Sequence, residues 1–246
     1  MKPTILTACY NCGPWIKQCI KSVFKQEFKD WEWIIVNDRS TDNSLKIMEK
    51  YARKNENIRI INNDSSLKCG GSYAKALEHA TGDICCVLDA DDMLAHKKSL
   101  SRLVRLYEKY PDVAYIWSQF RICDPDMNVV KKGSCRLPDT SFLKAGLDYS
   151  KYRHCFSHWR TFRTELRDSG DIFNKDLPAA VDKWMGYRLE ELGVGGFYSK
   201  ALYLYRQRVG GLSYKGRKHW SKMLKIFDKK RKEQEIEAYP TIKLSL

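Results

Sequence analysis

The chain has 246 residues, 43% of them hydrophobic, which is enough for one substantial core and excludes a disordered chain. Its 44 lysines and arginines outnumber 30 aspartates and glutamates; the formal net charge of +14 suits nucleic acid, an anionic membrane surface or a phosphorylated substrate. No segment reaches the ~18 apolar residues a membrane span requires, and the apolar run in MKPTILTACYNCG is too short for a secretory leader, so a soluble, cytoplasmic chain is expected.

Nine cysteines, with Cys85 and Cys86 adjacent in an apolar run, suit a reducing compartment in which the thiol acts as a small hydrophobe. Cys9 and Cys12 form the one CxxC spacing. Without a second pair they are read as two thiols at a strand end rather than a zinc or redox motif.

In chain order, residues 4–10 (TILTACY) and 31–37 (WEWIIVN) predict strands. Between them, Ile16, Cys19, Ile20 and Val23 mark the buried face of a helix at i, i+3, i+4 and i+7. Thr41 or Asp42 can cap a second helix burying Leu45, Met48 and Ala52, and residues 58–63 follow as a third strand. Tyr73, Ala76, Leu77 and Ala80 predict a third helix that stops at Gly82, before the continuous apolar strand ICCVLD. Leu100, Leu103, Val104 and Tyr107 face inward on a further helix, and residues 112–123 return as strand. From 133 to about 153 the pattern reads as loop. Residues 154–162 then predict a strand, 178–193 a helix with Val181, Trp184, Met185, Leu189 and Leu192 inward, and 195–206 a strand. In the basic tail Trp220, Leu224 and Phe227 form a narrow apolar stripe among lysines and arginines, either packed on the domain or lying on a membrane surface.

The alternation predicts an α/β fold: a Rossmann-like, mainly parallel sheet flanked by helices on both faces, in which ligands bind beyond the carboxyl ends of the strands. Three polar clusters occupy those ends: Tyr10–Asn11, then Asn37, Asp38 and Arg39, then Asp89, Asp91 and Asp92. Period-two geometry would set Asp89 and Asp91 on one side and Asp92 elsewhere. Crowded carboxylates repel, and a hard divalent ion with oxygen ligands, Mn²⁺ or Mg²⁺, would relieve them. Acidic residues also cap helices and solvate turns, so the cluster alone decides nothing.

The motifs TACYN, VNDRSTDNS, GGSYAKALEHATGD and LDADDML stand in the order and spacing of the inverting family-2 glycosyltransferases of GT-A fold, which residues 3–115 resemble strongly and the chain to about 213 more thinly. HWRTF and AAVDKWMGYRLEELG resemble stretches of bacterial chondroitin-polymerase transferase domains. The resemblance implies a GT-A domain over residues 1–215, with a nucleotide-sugar half (1–115) and an acceptor half (116–215), and a basic tail over 216–246. It implies donor binding by Tyr10 stacked on the base, with Asn11 beside it, Asp38 at the base edge, Lys75, and Asp89 near the ribose. Asp91 would hold Mn²⁺ or Mg²⁺, and Asp182, at a helix start that keeps it ionised, would be the catalytic base. His158 and Arg160 are candidate acceptor or donor contacts, though a His beside Trp159 in a strand is commonly packed. The chain departs from the family where LYRQRVGGLSYKG lacks the usual His, which implies either weak metal affinity or Arg206 and Arg208 holding the diphosphate directly, and where Val181 replaces a Glu.

The reading is a metal-dependent transferase of a sugar from a nucleotide diphosphate, with UDP as the expected carrier, to a glycan or lipid-linked acceptor. The basic tail is a candidate peripheral membrane contact. A sugar nucleotidyltransferase would want a Gly-rich, Arg-containing loop after the first strand, and residues 8–17 hold one Gly and no Arg. A nucleic-acid-binding protein fits the charge but shows no recognisable motif, so no nucleic acid is expected. A sugar-binding fold without activity would fit the missing His.

Overall fold

The computed structural model describes residues 1–137, 156–177, 181–208, 229, 233 and 239–246. Strand β1 (Pro3–Cys9), helix α1 (Gly13–Phe24), β2 (Glu32–Asn37), α2 (Ser44–Ala52), β3 (Ile58–Asn62), α3 (Lys68–Glu78) and β4 (Ile84–Val87) alternate as the sequence predicts. Pro14 starts α1, where its missing N–H costs nothing, and Ile16, Cys19, Ile20 and Val23 are buried along one face. At the start of α2 the N-cap is Asn43, not Thr41 or Asp42, and makes no side-chain cap; Asp42 Oδ1 accepts from the Ser44 N–H at 2.9 Å just before it. Cys85 and Cys86 are fully buried, and the described cysteines are all free thiols.

After β4 come β5 (Met93–Leu94), α4 (Ser99–Lys109), β6 (Val113–Cys123), β7 (Val129–Lys132) and β8 (Arg160–Arg163), then a 3₁₀ turn over Thr164–Ser169, α5 (Val181–Glu190), β9 (Val194–Arg206) and β10 (Thr241–Leu244). The sheet order is β10-β9-β6-β8-β4-β1-β2-β3, with β5 on β9 and β7 on β6. Two parallel blocks, β3-β2-β1-β4 and β6-β9-β10, are joined through β8, which is antiparallel to both β4 and β6. The sheet is therefore mixed though dominated by parallel pairs. The expected strand over 154–162 is confined to Arg160–Arg163 among the described residues, and the short pairs β5 and β7 lack the length that makes a sequence pattern visible.

Alternation along β8 divides the faces. Arg160 and Phe162 look toward α3, where Tyr73 stacks on Phe173 and Phe173 meets Phe162, whereas the Thr161 hydroxyl meets Tyr107 of α4 on the other side. Helix α4 joins α1 there, the Leu100 N–H donating to Gln26 Oε1 at 3.0 Å. Trp33, Trp117, Trp159, Tyr107, Tyr115, Tyr203 and Phe162 fill the core on the two faces.

The last residues leave the expected tail and join the domain: β10 pairs parallel to β9 and buries Leu244. Of the predicted tail helix, Trp220, Leu224 and Phe227 lie outside the described residues; Lys229 and Glu233 are helical and 3.7 Å apart. Residues 138–155 and 178–180, which carry part of the predicted loop, strand and helix, also lie outside them. No helix among the described residues is long and apolar enough to cross a membrane.

Candidate functional site

The loops beyond the carboxyl ends of β1 and β2 are tied together. Asn11, in the left-handed region at φ 50°, donates its N–H to Ser40 Oγ and accepts through Oδ1 from the Thr41 N–H at 2.8 Å. The Gly13 N–H donates to Asp42 Oδ2 at 2.8 Å, and a Cβ on Gly13 would fall 1.9 Å from Asn43 Oδ1, so a side chain there would push the Asn43 amide aside. Tyr10 stands out from this junction, 58% exposed.

Asp38 is buried and accepts from Asn63 Nδ2, the Ser66 hydroxyl and the N–H groups of Leu67 and Lys68. Two donors on each oxygen fill its lone-pair capacity, so its carboxylate holds the loop before α3 rather than standing open for a base. Lys75 Nζ reaches Asn63 Oδ1 at 3.0 Å, joining Lys75, Asn63 and Asp38 in one chain. Sequence reasoning passed over Asn63, although it directly follows β3.

The acidic cluster departs from the expected alternation. Strand β4 stops at Val87, and residues 89–92 form a turn closed by the Asp92 N–H donating to the Asp89 carbonyl at 3.0 Å. Turn geometry therefore brings Asp89 and Asp92 together and sends Asp91 elsewhere, the reverse of the period-two expectation. Ligand atoms of Asp89, Asp92 and His158 lie within 4.8 Å of one another, a donor set that a divalent ion could use.

Asp89 is the hub. Its Oδ2 lies 2.7 Å from Arg160 Nη2 and 3.5 Å from His158 Nε2, and its Oδ1 accepts from the Tyr73 hydroxyl at 2.5 Å. Burial pushes its carboxyl upward, but the Arg160 charge and the His158 and Tyr73 hydrogen bonds outweigh burial and hold it well below the usual carboxylate range. Asp92 goes the other way. It is 1% exposed, and burial beside the Asp91 and Asp89 charges raises its pKa well above that range despite donation from the Arg206 N–H and Tyr203 hydroxyl.

His158 is packed, as a His in this setting commonly is: its ring lies 4.8 Å from that of Tyr203, 4.9 Å from Tyr205 and 5.2 Å from Phe120. Burial lowers its pKa and Arg160 adds to that, against the Asp89 hydrogen bond and charge; Nδ1 lies 2.9 Å from Ser157 Oγ.

Asp91 is directed to Arg208. Its Oδ2 accepts from Arg208 Nε at 2.8 Å, and its Oδ1 accepts nothing among the described residues. The Arg208 guanidinium lies over the Trp15 ring, 4.2 Å from the centroid, while Trp15 is partly buried against the core. Arg206, expected to hold the diphosphate, is 2% exposed and spends its guanidinium on the Asp91 carbonyl at 2.6 Å, the Pro125 carbonyl and Gln18. It clamps the acidic turn to β9. The strand carries Arg206 inward to its last rung, and only Arg208, beyond the strand end, reaches the crevice.

Asp182 opens α5 with its carboxylate half-buried and 3.7 Å from Lys183 Nζ. Burial pushes the group upward, but Lys183, Arg160 and His158 outweigh it and hold the carboxyl below its ordinary range. It therefore shares the electrostatic field of Arg160, His158 and Asp89, bringing the second half of the chain to the acidic turn.

Three comparisons bear on this arrangement. The family model described as Glycosyl transferase family 2 matches residues 4–170. Chondroitin synthase of Pasteurella multocida (strain Pm70) is 28% identical over 200 residues, covering 81% of this chain and 20% of that protein; EpsE of Bacillus subtilis (strain 168) is 26% identical over 204 residues, covering 77% and 70%. Among solved structures, S. aureus TarS 1–349 in complex with UDP-GlcNAc superposes with a TM-score of 0.70 at 22% identity, covering 87% of this chain and 61% of that one. The chain thus spans a fifth of the Pasteurella synthase and about three fifths of the TarS fragment.

Proposed function

The chain belongs to glycosyl transferase family 2, and from that premise we propose that it moves one sugar from a UDP-linked donor to a hydroxyl of a glycan or lipid-linked acceptor, with inversion at the anomeric carbon. The observation that carries the reading is the meeting of the Asp89–Asp92 turn with Arg160, His158 and Asp182 beyond the end of β4. The UDP-GlcNAc named for TarS and the chondroitin named for the Pasteurella relative support a UDP donor and a glycan acceptor.

In this mechanism Tyr10 offers its exposed face to the base, and the Asp38–Asn63–Lys75 chain fixes the loop beside it. Arg160 holds Asp89 ionised, and Arg206 fixes the turn so that Asp91 faces the diphosphate. A divalent cation, Mn²⁺ or Mg²⁺, would find an unused oxygen on Asp91, apart from the Asp89–Asp92–His158 set; bound there it would supply Lewis-acid stabilisation of the leaving diphosphate. Arg208 adds a guanidinium on the same side. Asp182, kept ionised by Lys183, Arg160 and His158, accepts the proton of the incoming hydroxyl at a carboxylate oxygen. Attack from the face opposite the leaving group inverts the anomeric centre.

The test is a melting-temperature panel of UDP, UDP-sugars and other nucleotide sugars, with and without Mn²⁺ or Mg²⁺, since a ligand that prefers the folded state raises the midpoint. Stabilisation by UDP-sugars that grows with the cation is expected. A panel in which no nucleotide shifts the midpoint eliminates the donor assignment.

A further inference from the structure

On the opposite side of the sheet from the acidic turn lies a second concavity of about 730 Å³ that the transfer reaction does not use. Strand register locates it. Phe120 pairs with Tyr203 and Arg121 with Leu204 across β6 and β9, and neighbouring side chains on a strand point to opposite faces. Phe120 and Tyr203 pack against His158 on the catalytic side, so Arg121 and Leu204 turn to the other, where both line this cavity.

The side chains of the lining are one-sided in charge, and Leu246, the last residue of the sequence, also lines it. Arg102 and Arg105 enter from α4, Arg121 from β6 and Lys200 from β9, and no Asp or Glu side chain lines the cavity. None of these four cations makes an ion pair or side-chain hydrogen bond among the described residues, whereas Arg160, Arg163, Arg167, Arg206 and Arg208 all do. Unneutralised like charges around one space repel, and in a concave, partly apolar setting water screens them less than on an open surface. His96 at the rim reports the crowding: burial, then Arg102 and Arg121, lower its pKa. Leu204 and Val129 supply apolar wall, and Tyr198 also lines the concavity. Guanidinium forks match the oxygens of a phosphate in pairs, and three of the four cations are arginines.

We propose that this cavity is a second anion site, which takes a phosphate-bearing ligand of more than one negative charge between Arg102, Arg105, Arg121 and Lys200. The site is separated from the acidic turn by the thickness of the sheet and stands whether or not the chain transfers sugar. A soluble phosphate ester and an anionic lipid headgroup present the same chemistry, and the test distinguishes them.

Pyrophosphate is titrated calorimetrically, at fixed ionic strength, into the wild-type chain and the variant Arg105→Gln/Arg121→Gln. Both positions are exposed, so the fold should be unaffected, and circular dichroism checks it. Pyrophosphate reaching the acidic crevice contributes equally to both proteins; the difference isolates the cavity. Each lost guanidinium contact should weaken the cavity's affinity by about tenfold. In parallel, both proteins are floated with vesicles of phosphatidylcholine alone or with phosphatidylglycerol added. Flotation with the anionic vesicles that the variant loses identifies a lipid source, and pyrophosphate binding that the variant loses without flotation identifies a soluble one. Identical behaviour of the two proteins in both arms overturns the site.

Discussion

Removing Arg160 should cost more stability than any exposed charge, and the loss should be recovered by neutralising Asp89. Arg160 is 6% exposed, and its Nη2 sits 2.7 Å from Asp89 Oδ2. Two unit charges centred ~4 Å apart at an effective dielectric of ~20 interact by about 4 kcal/mol, and breaking one partner out of a buried pair costs about 3–5 kcal/mol. Two features reduce that figure. Asp89 keeps the Tyr73 hydroxyl, and Arg160 Nε is itself buried without a partner, a penalty of about 1–3 kcal/mol that Arg160→Met removes. The expected loss for Arg160→Met is therefore about 2–4 kcal/mol. Asp89→Asn in the same background leaves a neutral amide that still accepts from Tyr73, so the double variant should be more stable than the sum of the two single losses predicts, with a coupling energy of about 2 kcal/mol. Urea denaturation of the four proteins at pH 7 measures it. Additivity within about 0.5 kcal/mol would mean that Arg160 does not hold Asp89, and the account of the turn would fail with it.

Three further outcomes follow from the same geometry. Asp182→Asn should lower kcat by about 10²–10⁴-fold while UDP-sugars still raise the melting temperature, and wild-type turnover in that variant refutes its role as base. Because Asp182 is held below the ordinary Asp value of ~3.9, its base form persists through the neutral range and is lost only as pH falls through that lowered value; kcat/KM should show no acid limb between pH 5 and 7, and a limb assigned to Asp182 in that window contradicts the assignment. Asp91→Ala should abolish the extra stabilisation that Mn²⁺ gives the UDP complex, read as the difference between melting midpoints with and without the cation; an undiminished difference moves the ion away from Asp91.

The first half of the fold is legible because its signals are local. Continuous apolar runs mark β1, β2 and β4, the i, i+4 stripe marks α1, and Asp42 lies just before α2. The second half depends on pairings that no window contains: β8 sits between β4 and β6 because residues 160–163 meet 84–86 on one side and 115–117 on the other. At the site, residue types were legible and directions were not. Whether Asp91 or Asp92 joins Asp89 depends on where β4 ends, and two residues of strand turned into a turn reverse the answer. Arg206 and Arg208 look equivalent in YRQR, and only the end of β9 between them makes one a clamp and the other a crevice residue. Asn63 was within reach of the rule that singled out Asn37, since it directly follows β3.

The three carboxylates of a basic chain also acquire distinct jobs. Asp89 is paired with Arg160 and burial raises the Asp92 pKa, while Asp91 pairs with Arg208. A cation approaching Asp91 must draw it away from Arg208, and a diphosphate approaching Arg208 must draw it away from Asp91. Each event removes the obstacle to the other, so nucleotide and cation should bind cooperatively, with reciprocal strengthening in the ~5–150-fold range typical of coupled sites. Arg208→Ala separates this route from simple contact between cation and phosphate. With its competitor gone, Asp91 should bind Mn²⁺ more tightly in the absence of nucleotide, and UDP should add less than it does in the wild-type chain. Calorimetric titration of Mn²⁺ with and without UDP gives both quantities; a variant that binds Mn²⁺ no better than wild type without nucleotide shows that Arg208 does not guard Asp91.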